Sequence, residues 1–236
     1  MLKGYTVLSE INVINNVYLE KKSCMTADDF AGLKSGLPYN IEYVRSRGKF
    51  LYICIKNDKC VRFIGLSFGL KGSLNIKESD VIKSDIMFTM NNDIIVYYDQ
   101  LKFGNFTLYN INELNKKLDS MGVHAYDLDL DTFTQLVHKH NKLNICVFLM
   151  RQSIIAGIGN HLKTEILYFS KINPLETLCN LTDTQIKNLY KNITHLIHLT
   201  SSYDIPNGIY KKKTINGIPI QCTITPDKRK TYHTYF

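Results

Sequence analysis

The chain has no run of 18 or more apolar residues, which excludes a long hydrophobic membrane-spanning helix. Its first residues, MLKGYTVLSEINVINN, lack a basic patch followed by an apolar block, so no signal peptide and an intracellular setting are expected. There is no CxxC pair. The six cysteines, Cys24, Cys54, Cys60, Cys146, Cys179 and Cys222, are scattered, and the gap from Cys54 to Cys60 is too wide for a zinc knuckle. Free thiols in a reducing compartment and no structural metal are therefore expected. His195 and His198 have no Cys or carboxylate at ligand spacing and read as helix-surface residues. There is no internal repeat and no low-complexity tract.

What is present points to a folded, basic protein. Hydrophobic residues make up 44% of the 236, enough for a packed core. The net charge of +8 is uneven: residues 151–236 hold 11 Lys/Arg against 5 Asp/Glu, whereas residues 1–150 hold 18 against 16. A basic C-terminal half suggests a polyanionic partner, nucleic acid before an anionic membrane surface. Lysine inflated by AT-rich coding accounts for the same charge without function, so charge alone decides little.

Pattern divides the chain near residue 125, into residues 1–125 and 126–236. Val7, Ile11, Ile14 and Val17 share a helical spacing, and a first helix over 5–22 is expected. Strand signals follow in IEYVRSRGKFLYICIKND, KCVRFIGLSF, SDIMFTM, DIIVYYDQ and NFTLYNI, with a hairpin turn at Asn92-Asp93. From about residue 111 the pattern becomes helical, over 112–120, 130–140 and 143–151. The clearest helix is LTDTQIKNLYKNITHLIHL, where Thr182 and Gln185 form a capping box and Ile186, Leu189, Tyr190, Ile193, Leu196 and Ile197 mark one face. Turns at Asn207-Gly208, Asn216-Gly217 and Pro226-Asp227 imply a terminal hairpin.

The most informative segment is QSIIAGIGNHLKTEILYF, residues 152–169. Gly157 and Gly159 permit a tight turn into a helix that begins at or just after Asn160. Free N–H groups at a helix N-terminus bind phosphate; Asn160 adds an amide, and Lys163 lies on the first turn. Pro174 stops this helix, and the one capped by Thr182 follows. No strand directly precedes the glycines and no Gly-Lys-Ser/Thr follows, which argues against a nucleotide loop and leaves a duplex phosphate clamp or a plain helix entry.

A longer pattern carries more weight. Gln152, Gly157, Gly159, Asn160, Glu165, Leu167, Phe169, Ile172, Pro174, Leu181 and Thr182 fall in register with the helix–two-turn–helix core that this segment resembles, that of the formamidopyrimidine/endonuclease VIII-type DNA glycosylases. Leu162 departs from it, standing where the family usually has a Tyr that touches the phosphates. Thinner matches follow in family order. RSRGKFLYI places Lys49 near the lesion, and FGLKGSL makes Leu70 the wedge that fills the gap left by a flipped base. YYDQLKFGNFTLY makes Phe103 the intercalating aromatic, with Leu101 where the family often has the Arg that pairs with the orphaned base. TPDKRKTYH resembles the tip of the family's finger hairpin and puts Arg229 on phosphates. With only Cys222 there, instead of four Cys around zinc, the finger resembles the zincless form. Read alone, Leu70 and Phe103 are core residues, and Lys49, Lys228, Arg229 and Lys230 are solvated turn residues.

The resemblance implies an α+β fold: an N-terminal β-sandwich with one helix, then a helical helix–two-turn–helix domain with a β-hairpin. It implies a duplex DNA partner bearing a damaged base or abasic site, a monomeric chain, no cofactor and no membrane. It also implies an N-terminal proline amine as nucleophile on C1′ of a flipped nucleotide, with a neighbouring Glu as acid. Here those positions hold Leu2 and Lys3. Lys3 or the terminal amine forming an imine at an abasic site is one outcome; binding without chemistry is another; an RNA-associated protein using the same helical module is a third.

Overall fold

The computed structural model describes the chain except residues 1–3, 15–16, 21–24, 77–83, 200–204, 206 and 235–236. The chain divides into two compact units, Met1–Asp119 and Ser120–Phe236.

The first unit is built on one eight-stranded sheet in which every pairing is antiparallel. Its strands are β1 (Val7–Val13), β2 (Tyr39–Arg47), β3 (Phe50–Lys56), β4 (Val61–Ser67), β5 (Gly72–Ile76), β6 (Ile86–Met90), β7 (Asp93–Asp99) and β8 (Asn105–Tyr109). They lie in the order β5-β7-β6-β1-β2-β3-β4-β8. The sheet folds over itself. Phe88 on β6 and Phe106 on β8 sit far apart in strand order, yet their rings meet at 6.0 Å, and both belong to one buried cluster with Leu8, Ile53, Ile64 and Tyr97. The two layers of the expected sandwich are thus the two ends of a single sheet. Strands rich in Ile, Phe and Tyr suit this, because alternate side chains on each half face the shared interior.

The first helix expected over 5–22 is replaced by β1, with only a short α1 (Val17–Glu20). The misreading has a physical origin. The pairing of β1 with β6 shifts register between Leu8 and Glu10, and an extra residue in a strand lets Leu8 and Ile11, three apart, both point inward. A bulge thereby imitates helical spacing, and the β-branched Val7, Ile11 and Val13 favour the strand. The sandwich's helix is instead α2 (Ala27–Ser35), whose start is a capping box between Thr26 and Asp29. The hairpin between β6 and β7 turns at Asn91-Asn92, one residue earlier than expected, because Asn91 takes the left-handed conformation at φ 54°. Helix α3 (Ile111–Asp119) closes the unit.

The second unit packs α4 (Leu130–Lys139), α5 (Ile145–Met150), α6 (Asn160–Ser170) and α7 (Asp183–Leu199) around Phe133, Phe148, Ile166, Leu189 and Ile193. Two-residue strands β9 (Val123–His124) and β10 (Ile155–Ala156) pair in parallel beside them. Helix α7 starts as its sequence implies: Gln185 N–H donates to Thr182 Oγ1 at 3.3 Å and Thr182 N–H to Gln185 Oε1 at 2.9 Å. Helix α6 is the central one, with Leu162, Lys163, Thr164, Glu165, Ile166 and Leu167 all buried in succession. It ends at Lys171, left-handed at φ 54°, three residues before Pro174. Two hairpins complete the unit: β11 (Thr214–Ile215) with β12 (Ile218–Pro219), and β13 (Gln221–Ile224) with β14 (Lys230–His233). Among the described residues no helix is long and apolar enough to cross a membrane.

Candidate nucleic-acid interface

In the first unit, two adjoining loops present apolar side chains to solvent. Leu70 is 70% exposed, Phe103 62% and Leu101 39%, and it is their grouping on neighbouring loops, not the exposure of any one, that is informative. The loops abut closely. Gly69 takes φ +55°, and a Cβ there would stand 2.9 Å from the Phe103 Cβ, so this crossing requires glycine.

The loop 100–104 is fixed from below by carboxylates. Fully buried Asp99 accepts hydrogen bonds from the N–H of Gly104 at 2.6 Å and of Leu101 at 3.2 Å. Buried Asp85 accepts the N–H of Asp99 at 2.7 Å and pairs with the Lys102 ammonium. Gly72 N–H bonds Phe68 O at 2.7 Å within the first loop, Tyr97 donates its hydroxyl to Ser67 O at 2.9 Å beneath both, and the Lys71 ammonium donates to Gln100 Oε1 at 3.2 Å, which ties the two loops into one ledge. Lys49 sits elsewhere on the unit, exposed at the Gly48-Lys49 turn between β2 and β3.

In the second unit the glycine turn is stapled by Gln152. Its Nε2 donates to Ile158 O at 2.8 Å and Met150 O at 3.1 Å, while its Oε1 accepts Gly157 N–H at 3.0 Å. Gly157, at φ +122°, takes a conformation that a side chain would strain. Gly159 then caps α6 without a side chain, leaving the N–H groups of its first turn for an external acceptor. Asn160 donates its amide to Lys230 O at 2.9 Å, and its Oδ1 is buried with no hydrogen-bond partner among the described residues. The hairpin tip, residues 225–230, thus lies against the start of α6, and Lys228, Arg229 and Lys230 are all exposed there.

Lys163 does not reach solvent. It is 0% exposed, and its Nζ lies 2.6 Å from Asp227 Oδ2, so the reading of Lys163 as a direct phosphate contact is corrected. The cause is the depth of α6: its residues 162–167 are buried in succession, so even the polar side chains among them need an internal partner. Glu165 follows the same rule. It accepts the N–H groups of Ile209 and Tyr210 at 2.7–3.0 Å and so anchors the segment leading to the hairpins. His161, on the exposed side of the same turn, stacks on Tyr210 with ring centroids 4.7 Å apart. Burial pushes the Cys146 thiol up to about 11, so it is a packed, protonated group.

The sequence did not single out Asp85, Asp99 or Asp227. Asp85 and Asp227 meet partners 14 and 64 residues away, which no local spacing marks; Asp99 bonds backbone N–H groups two and five residues on, and any residue type but proline could supply those donors. Leu2 and Lys3 lie outside the described residues, as does Cys24.

The terminal hairpin offers a metal little. Cys222 is exposed and opposite Tyr232, and His233 bonds Thr223 through Nε2 at 2.9 Å. Among the described residues, no group of three or more His, Cys, Asp or Glu could hold a metal ion. These residues do not fit a zinc ion, whose structural sites take four ligands.

Residues 122–204 match the family model described as the formamidopyrimidine-DNA glycosylase H2TH domain. The chain is 30% identical over 222 residues to a formamidopyrimidine-DNA glycosylase of Rickettsia felis, a match covering 84% of this chain and 79% of that protein. It is 29% identical over 177 residues to one from Dichelobacter nodosus, spanning 72% of this chain but 63% of that protein's length. The fold is similar to that of Lactococcus lactis Fpg in a complex with FAPY-dG-containing DNA, with a TM-score of 0.80 at 19% identity, covering 98% of this chain and 91% of that one.

Proposed function

The chain belongs to the formamidopyrimidine-DNA glycosylase family, and from that premise we propose that it binds duplex DNA at a damaged base or abasic site and acts there in base-excision repair. The observation that carries this reading is the conjunction, within the second unit, of an open α6 N-terminus and the cationic tip with Arg229 set beside it by the Asn160–Lys230 bond. Helix N–H groups and a guanidinium are complementary to consecutive phosphates, and they position a duplex without reading its sequence.

Lesion selectivity falls to the apolar ledge. A flipped nucleotide leaves a gap in the stack, and Leu70 and Phe103 are exposed apolar side chains on a braced support, suited to filling it. Lys49, on its turn, faces the DNA near the lesion. Chemistry requires an amine. In this reading Lys3 or the terminal amine adds to C1′ of the opened abasic sugar and expels water. The resulting imine makes the C2′ proton acidic, and its loss with departure of the 3′ phosphate cleaves the strand. Lys163 enters through the hairpin it holds, not through DNA contact.

The test is borohydride trapping of the untagged chain on a duplex with one abasic site. A covalent adduct is expected, and mass spectrometry of it locates the amine. Lys3 in the position of the family's Glu favours a second reading, damage recognition without chemistry. No adduct alongside lesion-selective binding would establish that one. Equal affinity for lesion-bearing and plain duplex would overturn both.

A further inference from the structure

The residues of the terminal hairpin do not fit a zinc ion, yet its tip carries the cation that the proposed function places on phosphate. Something else must fix the tip. Internal bonds shape it: Thr225 N–H donates to Arg229 O at 3.0 Å, Lys228 N–H donates to Thr225 O at 2.8 Å, and the hydroxyls of Thr225 and Thr231 meet at 2.7 Å. None of these ties the hairpin to the helices. Asp227 does. One carboxylate oxygen accepts the Thr225 hydroxyl at 2.5 Å, and the other meets the Lys163 ammonium at 2.6 Å, inside α6. Lys163 has no exposed surface, the Asp227 side chain is 6% exposed, and Thr225 and Thr231 are buried around them.

We infer that the Lys163–Asp227 ion pair is a metal-free clip that sets the register of the hairpin tip on α6, making Lys163 a positioning residue for Arg229. Charge pairing is well suited to this task. An apolar contact tolerates sliding, whereas a buried lysine and aspartate each lose their partner if the tip moves by an ångström or two. Asp227 is two residues from Arg229, so the clip acts on the chain immediately beside the guanidinium. The Asn160–Lys230 bond lies on the other side of Arg229 and gives a second point of attachment. Two fixed points bracketing one cation define where it can reach.

This rests on the reading of Arg229 as a phosphate contact, and a mutant cycle separates the two claims. Binding of the full chain to an abasic duplex is measured from 50 to 200 mM salt for wild type, Lys163→Met, Arg229→Ala and the double variant. Arg229→Ala is expected to weaken binding about tenfold and lower the slope of log K against log salt by about one. Lys163→Met should produce the same slope change although Lys163 touches no phosphate, and the double variant should lose no more than Arg229→Ala alone. Equal losses from Lys163→Met in both backgrounds would overturn the clip. No effect of Arg229→Ala would overturn the phosphate reading instead.

If Lys163→Met does not fold, Lys163→Met/Asp227→Leu takes its place, since an apolar pair removes the buried charge. That variant should fold and still lack the Arg229 contribution to the salt slope. Retention of the full slope would show that packing alone positions the tip and would overturn the inference. Overnight dialysis of wild type against EDTA should leave affinity and slope unchanged; loss of binding would point to a metal and overturn it as well.

Discussion

Asp99 and Asp227 each support an exposed tip, the one carrying Leu101 and Phe103 and the other Arg229, but they do it over different ranges of sequence. Asp99 takes the backbone N–H groups of Leu101 and Gly104, two and five residues on, so its loop carries its own brace. Asp227 takes a side-chain ammonium from a helix 64 residues earlier. The first is a set of charge-assisted bonds to neutral donors a few residues away, with Asp85, 14 residues earlier, supporting Asp99 from below. The second exists only once α6 and the hairpin have docked. A self-braced loop suits an apolar wedge, whose task is to stay extended in water. A long-range clip suits a cation that must stand at a fixed distance from another binding group.

The largest effect should come from breaking the long-range brace by half. Lys163→Met leaves a buried carboxylate unpaired, and its unfolding free energy should fall by about 3–5 kcal/mol in urea titration. Lys163→Met/Asp227→Leu should recover most of that loss. A single variant as stable as wild type would mean that Asp227 finds water, and that the tip is not clipped. Breaking the local brace should cost less. Asp99→Ala leaves the N–H groups of Leu101 and Gly104 without their acceptor, a loss of about 2–3 kcal/mol by the same titration. It should also reduce the preference for lesion-bearing over plain duplex. Unchanged preference would separate the loop's shape from its use.

The smallest effect on stability should be at the ledge itself. Leu70→Ala removes a side chain that is 70% exposed, so its unfolding midpoint should move by no more than about 0.5 kcal/mol equivalent. Discrimination between abasic and intact duplex should nevertheless fall about tenfold in competition binding. A variant that keeps its discrimination would remove Leu70 from the wedge, and would leave Phe103 and Leu101 to carry it.

The two units also differed in how far they could be read in advance. The second was legible where its signals are local. The Thr182 and Gln185 box, the helical face from Ile186 to Ile197 and the glycine turn before Asn160 all act within a few residues, and each appears as its spacing implies. The strands β2, β3, β4, β6, β7 and β8 were legible from runs rich in Ile, Phe and Tyr at short spacing, with alternation clearest in the first of them. Strand β1 was not, because a bulge between Leu8 and Glu10 gives a strand the spacing of a helix. Helix α2 is hard to read because its cap pairs Thr26 with Asp29, where a Glu or Gln is the usual signal. Strand β5 sits at the sheet edge with every described residue of it at least part-exposed, so no alternation marks it.

For the candidate site, the sequence by itself determined the chemical inventory: the glycine turn and Asn160 at a helix start, apolar residues in turn-like contexts at 70 and 103, and a basic tip around Arg229. These follow from residue type and near-neighbour order, which a linear chain displays directly. Only the tertiary structure decided which of them face outward. Lys163 and Arg229 look alike as cations in a basic half, but Lys163 falls in the buried run 162–167 of α6 and turns toward Asp227, whereas Arg229 stays exposed. The cost of burying an unpaired charge enforces that assignment, and it operates between residues that meet only when the chain has folded.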